Sequence, residues 1–284
     1  MQSTQFGELK FLYREDTDDL DNLKQTIAHN FFLRYIPDYQ PAPDHIIMDI
    51  GAHIGSFTLL MAAKVPKGKI YAFEPCSENA GVLEENVKLN QLCNVLVCKL
   101  ALSGSKGSSR LYLTKHTAGH SITKARSENY EIVPTTTLAA FMEEHAISHC
   151  HLAKVNCEGA EFEIFINTPR EFLARIGTMV MMIHQDLSDK YTVAELVGHL
   201  QQSGFTTEIH PVHSNTQRGM LIARNTGLRT HPDLANKMAQ AISSMAQGLQ
   251  MLQRYTDTLT SRVQDINCRL ERLEQAGKNK TEGQ

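Results

Sequence analysis

The amino-acid sequence predicts an α/β fold: a Rossmann-like, seven-stranded, mostly parallel sheet extended by a C-terminal coiled-coil helix. Three observations carry this. From residue 45 to residue 226, short apolar runs alternate with helical patterns, the signature of βαβ units. The first run, Ile46-Ile47-Met48-Asp49-Ile50, passes into a turn with two glycines, Gly51 and Gly55, and then into a helix. From residue 235 to residue 276, apolar residues fall at alternating spacings of four and three.

Residues 1–44 form a lead-in. An acidic run (Glu15, Asp16, Asp18, Asp19, Asp21) precedes an aromatic cluster (Phe31, Phe32, Tyr35, Tyr39), and Pro41-Ala42-Pro43 disfavours helix beyond it. The expectation is a helical prelude capping the mouth of a substrate pocket. Residues 45–226 form the main domain. Its strands are expected at His45–Ile50, Lys69–Phe73, Val95–Leu100, His151–Asn156 and Thr178–His184. Helices are expected near Ser56–Lys64, Ser77–Gln91, Leu138–His145 and Val193–Ser203. Thr206–His210 and Met220–Arg224 flank a polar loop, which suits an antiparallel hairpin ending the sheet. Beyond it, a seam runs from Met238 through Ile242, Met245, Leu249 and Leu252 to Leu273, with Thr256 its polar occupant. The period persists over about five heptads, longer than a helix packed on a globular domain sustains. In Arg269-Leu270-Glu271-Arg272-Leu273-Glu274, an Arg at g precedes a Glu at the next e, a pair that bridges neighbouring strands. This pattern resembles that of parallel trimers, so a homo-oligomer is expected, a trimer rather than a dimer. Residues 277–284 read as a disordered tail.

Hydrophobic residues make up 42% of the 284-residue chain and charged residues 21%, enough for one packed domain plus an extension. A formal net charge of −3 argues against a dedicated nucleic-acid binder, which carries a basic surplus or stripe. The N-terminus lacks the basic-then-apolar order of a signal peptide. The longest apolar stretch, Ile46–Ala63, is interrupted by Asp49, the turn and His53, so no membrane span is expected. Six cysteines form no C-x-x-C pair and no disulfide framework, which fits free thiols in a reducing cytoplasm.

Small residues in Gly51-Ala52-His53-Ile54-Gly55 let the backbone approach a ligand and the next helix pack on the strand. The spacing is not the G-x-G-x-x-G of dinucleotide folds, and an acid, Asp49, precedes the first glycine. That carboxylate would repel a pyrophosphate but suits the positively charged amino-acid end of S-adenosylmethionine. Glu74 ends the second strand, where such folds place a carboxylate on ribose hydroxyls, and Pro75 stops the strand after it.

The segments IIMDIGAHIGSFTLL, KIYAFEPCSENAGVLEENVKLN, CKLALSGSKG and HLAKVNCEGAEFEIFIN occur in that order. Together they resemble the FkbM-type methyltransferase family, whose motifs read D-x-G-A-x-x-G, F-E-P, N-x-x-L-N, A-L-S and K-x-D-x-E-G-A-E. The resemblance covers residues 10 to 225 and leaves the coiled coil outside. It implies a class I methyltransferase fold, S-adenosylmethionine as cofactor, and O-methylation of a sugar, glycan, polyketide or other small-molecule hydroxyl. It further implies that Asp49, Gly51, Ala52 and Gly55 surround the amino-acid moiety, with His53 in the same turn. Glu74, followed by Pro75, would take the ribose, and Ala101 and Ser103 would lie by the adenine. The family's Asp in the last motif is Asn156 here. If that acid serves as base or metal ligand, Asn156 cannot replace it; if it positions a ligand by hydrogen bonds, Asn156 serves. No metal site is expected.

Methyl transfer from a sulfonium is an in-line displacement, so much of the rate comes from holding the acceptor oxygen about 3 Å from the methyl carbon. A base within hydrogen-bond reach of the hydroxyl adds to it. Candidates belong at the carboxyl ends of the strands. Of two acids after the fourth strand, Glu158 is expected to face the pocket and Glu161 to favour a helix N-terminus. His184 ends the fifth strand, where the family often has a His, and its neutral form near pH 7 suits a base. His120 lies on a loop where the resemblance puts a Ser near the substrate. A rival reading is a methyltransferase-like scaffold organising a biosynthetic complex through its coiled coil. Asn156 favours that rival, and the intact turn and Glu74 oppose it.

Overall fold

The computed structural model describes residues 1–125, 127–212, 217–227 and Thr256. The expected coiled coil and tail lie, Thr256 apart, outside the described residues, and the fold below is that of the unit Met1–Leu228. Strands Gln2–Phe6 (β1) and Leu9–Tyr13 (β2) form an antiparallel hairpin that turns at Gly7, where φ is +59°. Phe6, Leu9, Phe11 and Tyr13 pack into one apolar cluster. This corrects the helical prelude: ahead of the aromatic cluster only Asp19–Leu23 (α1) and one π turn, Lys24–Ala28, are helical.

The chain continues as Ile46–Ile50 (β3), Ser56–Ala62 (α2), Lys69–Phe73 (β4), Ser77–Leu89 (α3) and Val95–Cys98 (β5). Ala101–Leu102 (β6), Gly107–Tyr112 (β7), Tyr130–Thr136 (β8), Leu138–Glu144 (α4) and Cys150–Val155 (β9) come next. Glu161–Ile166 (α5), Arg170–Leu173 (α6), Ile176–His184 (β10), Val193–Gln202 (α7), Phe205–Pro211 (β11) and Arg218–Asn225 (β12) complete the unit.

Seven strands form one sheet in the order β5-β4-β3-β9-β10-β12-β11, and β6, β8 and β7 form a separate three-stranded sheet. Within the seven, β3, β4, β5, β9 and β10 run parallel, and β12 runs antiparallel to both neighbours. This is the class I methyltransferase arrangement. The final hairpin forms, but its second strand sits inside the sheet and its first at the edge. Side chains decide this. β12 is buried along most of its length, whereas β11 exposes Thr206, Glu208, Ile209 and Pro211, and charge and proline suit an edge.

The central strands are apolar on both faces because both faces are covered. Phe141 of α4, Phe162 and Phe165 of α5 and Leu196 of α7 cover one face; Phe57 and Met61 of α2, with Phe32 and Ile36, cover the other. Local chemistry sets the helix ends: Thr137 accepts from the Ala140 N–H at 3.1 Å, and Thr192 with Glu195 forms a capping box. The N-x-x-L-N motif at the end of α3 has a tertiary role. Asn86 bonds the Leu12 N–H and C=O (2.6 and 3.1 Å), and Asn90 bonds those of Lys10 (2.9 and 2.6 Å). Two side chains thus stand in for a neighbouring strand along β2.

Among the described residues no helix is long and apolar enough to cross a membrane. Cys76, Cys93, Cys98, Cys150 and Cys157 are free thiols. Strand order reverses between β3 and β9, which opens a crevice at their carboxyl ends, where open α/β sheets bind ligands.

Candidate active site

After β3 the backbone is left-handed at Gly51 (φ +78°), His53 (+53°) and Gly55 (+96°). A backbone contact requires glycine at position 51, and the left-handed conformation favours it at position 55. A Cβ on Gly51 would stand 1.9 Å from the carbonyl oxygen of Asn156, and one on Gly55 would stand 2.4 Å from Leu83 Cδ1. Gly51 thereby sets how closely the ends of β3 and β9 approach. Gly51→Ala is expected to cost more than the about 1–3 kcal/mol of a strained backbone position alone. A denaturant midpoint equal to wild type would show that the two strand ends part freely.

Asp49 has a different partner from the one expected. It is fully buried, and its Oδ2 accepts from Thr58 Oγ1 at 2.6 Å. Its Oδ1 accepts from Lys154 Nζ at 2.9 Å, and Nζ also donates to the Gly51 carbonyl at 2.6 Å. The sequence reading does not single out Lys154, although the signal is present: a lone lysine in an apolar strand must find a buried counter-ion.

Glu74 follows β4, and its Oε2 accepts the His53 N–H at 2.7 Å and its Oε1 the Cys76 N–H at 3.0 Å. Burial pushes its carboxyl pKa up, against the pull of His53 and these donors. It stands in a cavity otherwise walled by groups such as Phe73, Pro75, Leu100, Ala101 and Leu102. His120 lines this cavity, and its Nδ1 accepts the Thr114 N–H at 3.1 Å. Burial, then the charges of His53 and Arg14, lower its pKa. With Nδ1 engaged, neutral His120 offers a donor here rather than a base. Asp49, Gly55 and Ser103 line neither this cavity nor the second one described below.

The lead-in reaches the site: Asn22 of α1 and Gln25 and Thr26 of the π turn line the second cavity described below, and the acidic run ties into the first. Asp18 accepts the Thr117 N–H at 2.8 Å, and Asn79 donates to the Thr117 carbonyl at 2.9 Å. Asp19 Oδ1 lies 3.1 Å from His53 Nε2, and Arg14 binds both Asp19 oxygens at 2.9 Å. Burial works to raise both aspartate pKa values, but these donors hold them below the ordinary range. Asp18, Asp19 and His53 bring three metal-ligating atoms within 4.8 Å of one another, but Arg14 and Thr117 already occupy the oxygens. The signal for this tie was only an acidic run, with its partner 99 residues away.

A second cavity meets the first at Gly51, His53, Ala118, Asn156 and Glu158, which line both. Its other walls include Phe31, Phe32, Ala52, Met182, His184 and Arg218. Glu158 takes a left-handed conformation, φ +50°, and Ser121 and Thr123 hydroxyls donate to its carbonyl at 2.6 and 3.2 Å. Such held strain concentrates at functional sites. His184, 2% exposed, places Nδ1 3.1 Å from Glu161 Oε1 and Nε2 3.3 Å from Glu158 Oε1. Burial alone would lower its pKa, but the Glu161 charge and the bonds to both acids outweigh this and push it up to about 10. The expected neutral base is therefore an imidazolium donating from both nitrogens. Glu161 begins α5, yet its carboxylate turns onto His184, and that charge holds its pKa down against burial. Among the described residues, Asn156 Oδ1 is the buried side-chain nitrogen or oxygen with no hydrogen-bond partner.

Comparison with known proteins places this geometry. The methyltransferase FkbM domain family matches residues 49–218. Methyltransferase 1 of Beauveria bassiana is 28% identical over 205 residues, 64% of this chain and 81% of that protein. The 31-O-demethyl-FK506 methyltransferase FkbM of Streptomyces tacrolimicus is 25% identical over 253 residues, 78% of this chain and 91% of that protein. The family match opens at Asp49 and closes at Arg218, enclosing the turn, Glu74 and the Glu158–His184–Glu161 cluster on a class I sheet, and the chain belongs to the FkbM methyltransferase family.

Proposed function

We propose that this methyltransferase moves a methyl group from S-adenosylmethionine to a hydroxyl of a sugar, glycan or other small-molecule natural product. One observation carries the reading: Glu158 stands on the wall shared by the two cavities, so a proton acceptor lies where they meet. The first cavity suits an adenosyl group. Glu74 offers oxygens to ribose hydroxyls beside Pro75, Ala101 and Leu102 give the adenine an apolar wall, and Gly51, Ala52 and His53 border the amino-acid end. In this reading Asp49, Gly55 and Ser103 act through packing of the turn and strand ends. The bound cofactor supplies an electrophilic methyl on a sulfonium. Phe31, Phe32 and Met182 hold the apolar face of the acceptor, and Asn156 Oδ1 accepts a hydrogen bond from a bound ligand. With S-adenosylhomocysteine as the leaving group of that transfer, Glu158 would take the proton of the acceptor hydroxyl and pass it to solvent. Glu161 keeps His184 protonated, and His184 positions Glu158 through Nε2. The name of the Streptomyces relative, a 31-O-demethyl-FK506 methyltransferase, supports oxygen as the acceptor atom. The proposal takes the chain as a cytoplasmic homo-oligomer, a trimer rather than a dimer, on the heptads of residues 235–276.

Calorimetric titration with S-adenosylmethionine and S-adenosylhomocysteine, with NAD as control, tests the cofactor. Both are expected to bind at micromolar concentration and NAD not to bind. Glu74→Gln is expected to weaken both about 10- to 100-fold, since a hydrogen bond to a charged group contributes about 1.5–3 kcal/mol. A folded wild type that binds neither sinks the enzyme reading and moves the proposal to the scaffold that Asn156 favours.

A further inference from the structure

We infer that Lys154 binds the cofactor, its ammonium taking the carboxylate at the amino-acid end of S-adenosylmethionine; this rests on the cofactor reading above. An ammonium has three donors. Two point into the protein, to Asp49 Oδ1 at 2.9 Å and the Gly51 carbonyl at 2.6 Å. Lys154 nevertheless lines the second cavity beside Gly51, Ala52, His53 and Ser56, the turn that borders the amino-acid end. Its side chain is only 5% exposed, and Nζ lies 5.0 Å from the Phe32 ring centre. A charge-assisted bond made in so dry a setting is stronger than one at the surface.

The sign of the wall follows from who occupies whom. Both Asp49 oxygens are taken, by Lys154 and Thr58, and the Gly51 carbonyl is taken by Nζ. This wall therefore offers the cofactor a donor, although the sequence around Asp49 reads as an acceptor. Asp18 and Glu158 also line the cavity. An amino-acid zwitterion is oriented by that asymmetry, its carboxylate to Lys154 and its ammonium toward the acids. The reverse pose would set ammonium against ammonium.

Binding titrations of wild type and Lys154→Met with three ligands test this. S-adenosylhomocysteine carries the carboxylate, decarboxylated S-adenosylmethionine lacks it, and methylthioadenosine lacks the whole amino-acid end. Because Lys154→Met leaves Asp49 buried without a counter-ion, Lys154→Met/Asp49→Leu is measured alongside it. In both variants the affinity for S-adenosylhomocysteine is expected to fall about 10- to 100-fold. Affinities for the other two ligands are expected to stay within about threefold. Equal losses for all three would reduce Lys154 to a prop for the turn, and undiminished S-adenosylhomocysteine binding by the folded double variant would remove it from the site; either overturns the inference. A wild type that binds none of the three overturns the cofactor reading, and the inference with it.

Discussion

Glu158→Gln is expected to lower kcat by about 10²- to 10⁴-fold, the contribution of a well-placed general base. The substitution keeps the shape and an oxygen for His184 Nε2, 3.3 Å away, but an amide takes no proton. The Ser121 and Thr123 hydroxyls grip the carbonyl of residue 158 rather than its side chain, so the left-handed turn survives the change. Affinity for S-adenosylhomocysteine is therefore expected to stay within about threefold of wild type. Single-turnover rates with an acceptor that supports activity, alongside titration of the cofactor product, separate the two effects. A variant keeping more than about a tenth of the rate would take the base off Glu158.

Glu161→Ala is expected to destabilise the fold by about 3–5 kcal/mol, the usual cost of removing one partner from a buried ion pair. Glu161 is fully buried and holds the His184 N–H at 2.7 Å, its Nδ1 at 3.1 Å and the Gly159 N–H at 2.9 Å. The same pair gives wild type a signature in pH. His184 titrates at about 10 in the folded chain, against about 6.5 for an unfolded histidine, so the folded state binds that proton more tightly. Its stabilisation is complete below about pH 6.5 and is lost as pH rises through about 10. The thermal midpoint of wild type is expected to fall between those values, and Glu161→Ala to show a flatter profile. A wild-type midpoint level across the window would mean that His184 is neutral.

The parts of this molecule legible in the sequence are those decided locally. The strands β3, β4, β9 and β10 fall within two residues of their expected bounds because an apolar run between turn residues leaves few alternatives. α4 and α7 start where Thr137 and Thr192 supply caps. What the sequence hides is pairing at a distance. Lys154 and Asp49 are 105 residues apart, and Asp18 and Thr117 are 99 apart, so neither spacing nor composition joins them. The N-terminal hairpin escapes for the same reason, since half of its edge is satisfied by amides on α3. The charge of His184 escapes for another. Histidine's protonation belongs to its neighbours, and both neighbours here are acids it meets only in the folded chain.

The grip of Asn86 and Asn90 on β2 bears on where this protein can be cut. Composition draws a border before His45, and a fragment beginning there would carry every motif of the family. It would also leave two amides on α3 reaching for a backbone that has gone, and would strip Phe11, Leu23, Phe32 and Ile36 from Leu83, Ile54, Phe57 and Met61. Gene shuffling that respects the visible border would thus break the fold, and the first 44 residues must be inherited with the domain they fasten.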